Sequence, residues 1–243
     1  MAWGQLMPPQ QLPLAVQLPD DETFETFHEG DNRTALKWLR VLPEKQAPLN
    51  VNEQLTWLSG PEGVGKSHLL HSLVGASSET SRVFYLPLKE LSDVEPAAVL
   101  QGAEQASIIC LDDIDRVTED ESWCYELFTL INRVTDSEYS RLVMTAKQSA
   151  LKTAVSLPDL QSRFQWATAF QLQPLTDKDK AQVLSLRAQF RGLELPDDVA
   201  AFMIQRLGRS MRELMSTLNE LDKASITYQR RLTIPFIKKV LSV

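Results

Sequence analysis

Gly60-Pro61-Glu62-Gly63-Val64-Gly65-Lys66-Ser67 places glycines, a lysine and a hydroxyl at the spacing G-x-x-x-x-G-K-[ST]. That arrangement suits one task, the cradling of a phosphate chain. Glycines let successive backbone N–H groups turn toward one anion with no Cβ in the way. Lys66 is placed to reach the β- and γ-phosphates of a nucleotide, and the Ser67 hydroxyl to ligate Mg²⁺. A second constellation, Ile108-Ile109-Cys110-Leu111-Asp112-Asp113, is an apolar run ending in two carboxylates. Asp112 is placed to hold Mg²⁺, directly or through water, and Asp113 to polarise an attacking water. Two aspartates after a strand also suit a helix N-cap. Their pairing with the phosphate loop favours the catalytic reading.

Both constellations need strands behind them. Gln54–Ser59 reads as a strand running into the glycine loop, and Lys66 to Gly75 as a helix whose positive end faces the loop. Further strands are expected at Arg82–Pro87, Ser107–Asp112, Arg141–Thr145 and Thr168–Leu172, with helical patterns from Asp31, weakly through Gly102, and over Glu119–Thr135. Strands alternating with helices predict a parallel α/β sheet. The strand at Arg82–Pro87 intervenes in sequence between the two motif strands, which separates the chain from nucleoside-kinase-like folds. After Pro174 the strand signals stop, and helical patterns follow at 176–191, 197–207, 210–229 and 234–241. The expected division is an arm over 1–22, an α/β core over 23–174 and a helical domain over 175–243. The arm is proline-rich and is expected to carry no packed element.

Composition narrows the function. The 243 residues are 43% hydrophobic with a net charge of −7, ordinary for a globular protein. No apolar run approaches the roughly 20 residues of a membrane helix. No Lys or Arg precedes Arg33, so the basic start of a secretory signal is missing and a cytoplasmic setting is expected. Cys110 and Cys124 lack metal-ligand spacing, and the three histidines form no cluster, which argues against zinc. The negative charge argues against broad binding to a nucleic-acid backbone. Residues 176–243, however, carry 12 Lys and Arg against 8 Asp and Glu. This basic quarter suits nucleotide phosphates, an acidic partner or a solvated helical surface.

Four further features stand out by type and place. Arg163, in Leu160-Gln161-Ser162-Arg163-Phe164 before the last strand, is placed to point at a neighbour's nucleotide as an arginine finger, or to form a surface ion pair. Arg212 lies in Ser210-Met211-Arg212-Glu213, a capping-box pattern that sets it in the first turn of a helix. There it suits either a docked phosphate or open solvent. Thr145 ends the fourth strand, where a polar group meets a γ-phosphate or its water, and serves equally as a β-branched strand residue. Gln11-Leu12-Pro13-Leu14-Ala15-Val16 spaces apolar side chains along an extended segment, fit for an apolar groove or for a tail with chance leucines.

Taken together these motifs resemble AAA+ ATPases of the bacterial initiator clade. Pro19-Asp20-Asp21-Glu22-Thr23-Phe24-Glu25-Thr26-Phe27, continuing to Gly30-Asp31-Asn32, resembles the segment bordering the adenine pocket of the DnaA ATPase domain. Leu157 to Phe164 resembles that clade's finger segment, and Leu195 to Val199 with Arg209 to Leu214 resembles its lid and second sensor. The resemblance implies a P-loop NTPase fold of AAA+ type: a five-stranded parallel sheet with helices on both faces, then a small all-helical lid. It implies ADP or ATP with Mg²⁺, held by Phe24, Phe27, His28, Asn32, Gly60, Pro61, Glu62, Gly63, Val64, Gly65, Lys66, Ser67, His68, Thr145 and Arg212. Ser67 and Asp112 would serve the metal, and Asp113 and Arg163 the chemistry.

The likeness ends near Val243, where DnaA continues into a basic DNA-binding domain, so no sequence-specific DNA binding is expected. With the arm in front, the chain resembles the DnaA-homologous regulators of replication initiation. That likeness implies that Gln11, Leu12, Leu14 and Val16 engage the polymerase sliding clamp, and that Arg163 acts in trans on ATP held by DnaA, preventing re-initiation. A homo-oligomer is compatible with it. Lys147 stands where DnaA has an aspartate, and a cation cannot accept a hydrogen bond from water, which points to weak intrinsic turnover. The competing reading is a self-sufficient AAA+ ATPase or helicase loader acting directly on DNA.

Overall fold

The structure, a computed structural model, describes residues 19, 21–44, 49–78, 81–137, 139–207 and 210–242. Gln11, Leu12, Leu14 and Val16, and Arg209 of the second-sensor segment, lie outside the described residues. Five strands, β1 (Leu55–Ser59), β2 (Val83–Pro87), β3 (Ile108–Asp112), β4 (Arg141–Ala146) and β5 (Thr168–Gln171), form one sheet in the order β2-β3-β4-β1-β5. Every pairing is parallel. The three inner strands are buried along their whole length, as their apolar runs require, whereas the edge strand β5 alternates partly buried with exposed residues. In space it is β4 that separates the two motif strands. The strand that intervenes in sequence, β2, forms the outer edge.

Among the described residues seven α-helices flank or cap the sheet: α1 (Arg33–Val41), α2 (Val51–Gln54), α3 (Lys66–Gly75), α4 (Leu88–Leu91), α5 (Pro96–Leu100), α6 (Glu121–Asp136) and α7 (Pro158–Phe164). Strand alternation sorts the core into two clusters. Trp57, Ile109, Leu111 and Met144 face α5, α6 and α7, while Leu58, Ile108, Cys110 and Val143 face α1 and α3. The sequence reading has a break over 43–52, where the short helix α2 in fact begins. It also places no helix at 158–164, where proline at the first helical position starts α7.

Beyond β5 come α8 (Asp177–Phe190), α9 (Asp197–Arg206), α10 (Met211–Tyr228) and α11 (Ile234–Leu241). Their starts are chemically marked. Thr176, Ser210 and Thr233 each accept a hydrogen bond from a backbone N–H of the first turn. These helices enclose a third core built on Leu184, Met203, Leu214, Leu218, Leu221 and Ile237. No described helix is long and apolar enough to cross a membrane.

Candidate nucleotide site

The glycine loop joins β1 to α3, and Gly65 is the N-cap of that helix at φ +101°. A Cβ on Gly65 would stand 2.8 Å from the Phe27 ring, so glycine is required both for the turn and for the close approach of Phe27. Lys66 is buried, and its Nζ donates to the carbonyls of Gly60 at 2.8 Å and Pro61 at 3.1 Å, closing the loop on itself. Burial lowers its pKa, while the Asp113 and Asp112 carboxylates work against that shift.

At the parallel end of β3, Asp112 is buried with both oxygens engaged. Thr145 donates to Oδ1 at 2.5 Å and Tyr85 to Oδ2 at 2.9 Å. Thr145 Oγ1 also accepts from the Asp113 backbone N–H at 2.8 Å. That bond fixes Asp113 at φ 53°, ψ 49°, a left-handed conformation that aspartate tolerates better than most residues. Burial, then the neighbouring Asp112 charge, raises the Asp113 pKa. Among the described residues no cluster of three or more His, Cys, Asp or Glu forms a metal cage. Mg²⁺ does not need one, since it is usually held by one or two carboxylates, substrate phosphates and water. The partly exposed Ser67 and the two aspartates fit that mode.

Loop, N-terminal segment and lid together enclose a cavity of about 370 Å³. Its charged lining includes Glu62, Lys66, Asp113, Arg116, Lys147 and Arg212, with Glu22 and Arg187 also on the wall. Phe27, Leu175, Val183, Met211 and Met215 supply apolar surface, and His28 and His68 complete one wall. The first turn of α10 packs directly on the loop, because a Cβ on Gly63 would lie 3.6 Å from the backbone nitrogens of Met211 and Arg212. Across the same gap Arg212 Nη1 meets Glu62 Oε1 at 2.6 Å, with both side chains half exposed.

The N-terminal segment ties lid to core. Asp21 pairs with Arg187 of α8 at 2.7 Å and with Arg191, the C-cap of that helix, at 3.4 Å, while Glu22 bonds His71 of α3 at 2.5 Å. Arg187 Nη2 faces His68 Nδ1 at 3.5 Å, and His68 Nε2 donates to the Thr23 carbonyl at 2.9 Å. A guanidinium only donates, so His68 is held neutral with its proton on Nε2. Burial accordingly lowers its pKa, with the Thr23 carbonyl opposing and the Arg187 charge reinforcing the shift.

Of the residues singled out by sequence, Phe27, His28, Glu62, Gly63, Val64, Gly65, Lys66, Ser67, His68, Asp113 and Arg212 line this cavity. Others sit elsewhere. Phe24 is buried in the α1–α3 core under Arg40. Asn32 clamps the backbone of Gln173 with bonds of 2.7 and 3.0 Å. Gly60 and Pro61 supply carbonyls to Lys66, and Thr145 and Asp112 stand behind Asp113. Arg163 lies outside the cavity. Its guanidinium covers Trp166 at 4.0 Å and Phe128 at 5.4 Å, and Nε donates to Asn132 at 3.1 Å. Sequence reasoning missed Tyr85, Arg116 and Arg187. An arginine on the buried stripe of α8 is the signal that marks Arg187, and nothing local marks Tyr85.

Comparison with known proteins agrees with this geometry. The model of the bacterial DnaA ATPase domain matches residues 18–171, and that of the Hda lid domain matches residues 177–241. Domain III of the Thermotoga maritima replication initiation protein DnaA superposes with a TM-score of 0.76 at 22% identity, over 93% of this chain and 97% of that one. AMPPCP-bound DnaA from Aquifex aeolicus gives 0.70 at 20% identity, over 86% of this chain and 67% of that one. The Thermotoga maritima RuvB Holliday junction branch migration motor gives 0.63 at 19% identity, over 87% and 67%. A phosphate loop, paired aspartates and a four-helix lid are thus found together on an AAA+ sheet, and the chain belongs to the bacterial DnaA ATPase-domain family, as a DnaA-homologous protein with a lid of the Hda type.

Proposed function

We propose that this Hda-type replication regulator binds ADP or ATP, with Mg²⁺, between its phosphate loop and lid, and acts on a partner's nucleotide. In this reading Gln11, Leu12, Leu14 and Val16 dock the chain on the DNA-loaded sliding clamp. Arg163 is then presented to ATP held by DnaA, whose hydrolysis it stimulates in a cytoplasmic setting.

The observation that carries the reading is the place of Arg163. It stands outside its own cavity, its face stacked on Trp166 and its Nε spent on Asn132. Neither terminal nitrogen makes a hydrogen bond within the described residues. A cation held this way is preorganised for an oxyanion supplied from outside. Within the chain's own cleft, Lys147 lines the cavity where a water-orienting acceptor would be needed. That arrangement suits nucleotide held rather than turned over. Lys66, Ser67 and the Asp112–Asp113 pair would bind the phosphates and metal. A metal bound there would neutralise charge on the phosphate chain.

The test is single-turnover hydrolysis of ATP preloaded on DnaA, in the presence of DNA-loaded clamp. The comparison uses the intact chain, the chain lacking residues 1–18, and Arg163→Ala. Fingers contribute roughly 10³–10⁵ in rate in GTPases, so near-complete loss is expected with Arg163→Ala. Unchanged stimulation by Arg163→Ala sinks the finger, and stimulation that persists without the arm sinks clamp docking.

A further inference from the structure

We propose that the corner of the lid formed by Arg230, Arg231, Lys238 and Lys239 binds the phosphate backbone of duplex DNA without reading its sequence. Charge is segregated along the chain. Residues 1–222 carry 20 Lys and Arg against 32 Asp and Glu, a net of −12, whereas residues 223–243 carry five Lys and Arg and no acid. A chain that is acidic as a whole is repelled by nucleic acid, so a surface that binds it must set its cations apart from the acids.

The end of the lid does this with a fixed backbone. Arg230 and Arg231 follow α10, where Gln229 turns the chain at φ 50°. The Arg230 N–H donates to the Ser225 carbonyl at 3.2 Å, and the Ser225 hydroxyl donates to the Arg230 carbonyl at 2.7 Å. Lys238 and Lys239 occupy the last turn of α11, and all four residues are exposed. Lys239 Nζ lies 5.7 Å from the ring of Tyr228, at the end of α10 and two positions before Arg230. Lys238 Nζ lies 5.7 Å from the Phe202 ring of α9. A ring holds an ammonium group without neutralising it, so both charges stay available to an anion. Among the described residues the four make one ion pair, Arg231 with Glu194 at 3.9 Å, and both of those side chains are largely exposed. So loose a contact is worth little and yields to a phosphate.

The same contacts favour a duplex. Single strands are held by bases stacked on free aromatic faces. Here Tyr228 already carries Lys239 and meets the Phe236 ring edge-on at 6.1 Å. An anionic membrane is gripped by an amphipathic helix that turns its apolar face outward, whereas Phe236 and Ile237 of α11 belong to the lid core. What the lid offers is an array of point charges on a rigid turn and helix, suited to regularly spaced phosphates.

The experiment is fluorescence anisotropy of a short labelled duplex of random sequence, titrated with the full chain between about 50 and 200 mM salt. Neither DnaA nor clamp is present, so the outcome is independent of the function proposed above. Lys238→Gln with Lys239→Gln is compared with Arg230→Gln with Arg231→Gln. A control, Lys37→Gln with Lys89→Gln, removes the same charge from exposed positions on α1 and α4. Four phosphate contacts predict a slope of log K against log salt of about −3.6. Each lid pair should reduce that slope by about 2 and weaken binding at low salt at least about tenfold, with thermal midpoints unchanged. The control should cost less than about twofold, since its charges lie on other faces of the molecule. An intact chain that leaves the duplex free at low salt overturns the proposal, as does a control loss equal to that of the lid pairs. Tighter binding of a single strand of equal length overturns the choice of duplex. Capture by anionic vesicles without duplex binding assigns the corner to a membrane instead.

Discussion

Thr145→Val is the most informative single perturbation of the core, because one hydroxyl serves two partners at zero exposure. It donates to Asp112 Oδ1 at 2.5 Å and accepts from the Asp113 N–H at 2.8 Å. Valine keeps the shape and the β-branched fit of β4. A hydrogen bond to a charged group contributes about 1.5–3 kcal/mol, and a buried N–H left unpaired costs about 1–3 kcal/mol. The two losses share one side chain and do not simply add, so about 3 kcal/mol is expected. At ~2–4 °C per kcal/mol for a chain of this size, the thermal midpoint should fall by roughly 6–12 °C. Urea unfolding of the full chain measures the loss directly, with Tyr85→Phe as a companion that removes only the 2.9 Å bond to Oδ2. Thr145→Val should cost more than Tyr85→Phe, since it also releases the left-handed Asp113. A loss under ~1 kcal/mol, or one no larger than that of Tyr85→Phe, would refute the reasoning that Thr145 holds the pair.

Three other outcomes are expected. Gly65→Ala forces an L-residue to φ +101° with its Cβ 2.8 Å from Phe27. It should abolish nucleotide binding in calorimetry and lower the thermal midpoint by about 5 °C, and a variant that still binds ADP normally would contradict that account. Lys147→Asp replaces a cavity-lining cation with a carboxylate, so steady-state phosphate release should rise at least roughly tenfold; no rise rules out Lys147 as a brake on hydrolysis. His68 is neutral in the fold and its pKa lies below the ordinary 6.5. Its contribution to stability is full above about 6.5 and is lost as pH falls from there through the lower folded value. Urea midpoints between pH 7.5 and 5.5 should therefore drop less for His68→Gln than for the intact chain, and equal slopes would rule His68 out.

The elements that carry phosphate chemistry were legible because their signals are local. The loop from Gly60 to Ser67 has a spacing that few other structures require, and α3 was bounded correctly at Lys66 and Gly75. β3 was evident from an unbroken apolar run that burial on both faces demands. What escaped notice depends on pairing across the chain. Tyr85 reaches Asp112 only because β2 and β3 are neighbours in register, and a tyrosine in a strand advertises nothing. Arg187 pairs with Asp21 across 166 positions of sequence. Phe24 and Asn32 were placed beside the nucleotide by resemblance, yet one fills a core and the other clamps Gln173. Phe27, three positions after Phe24, and His28, four before Asn32, face the cavity instead, a choice that a loop's sequence does not encode.

The sheet order has a consequence in time. β1, the strand that ends in the phosphate loop, has no neighbour near it in sequence. Leu55 pairs with Leu142 on β4, and Thr56 with Thr168 on β5, each roughly 90 or more residues further along. At ribosomal rates of about 5–20 residues per second, β1 waits roughly 4–17 s for its first partner strand. Through that interval its five apolar-rich residues and the glycine loop behind them have only α-helical neighbours to lean on. The nascent chain therefore cannot grip a nucleotide until more than half of it has been made, and stalled chains of graded length should show no nucleotide binding before β4 is complete.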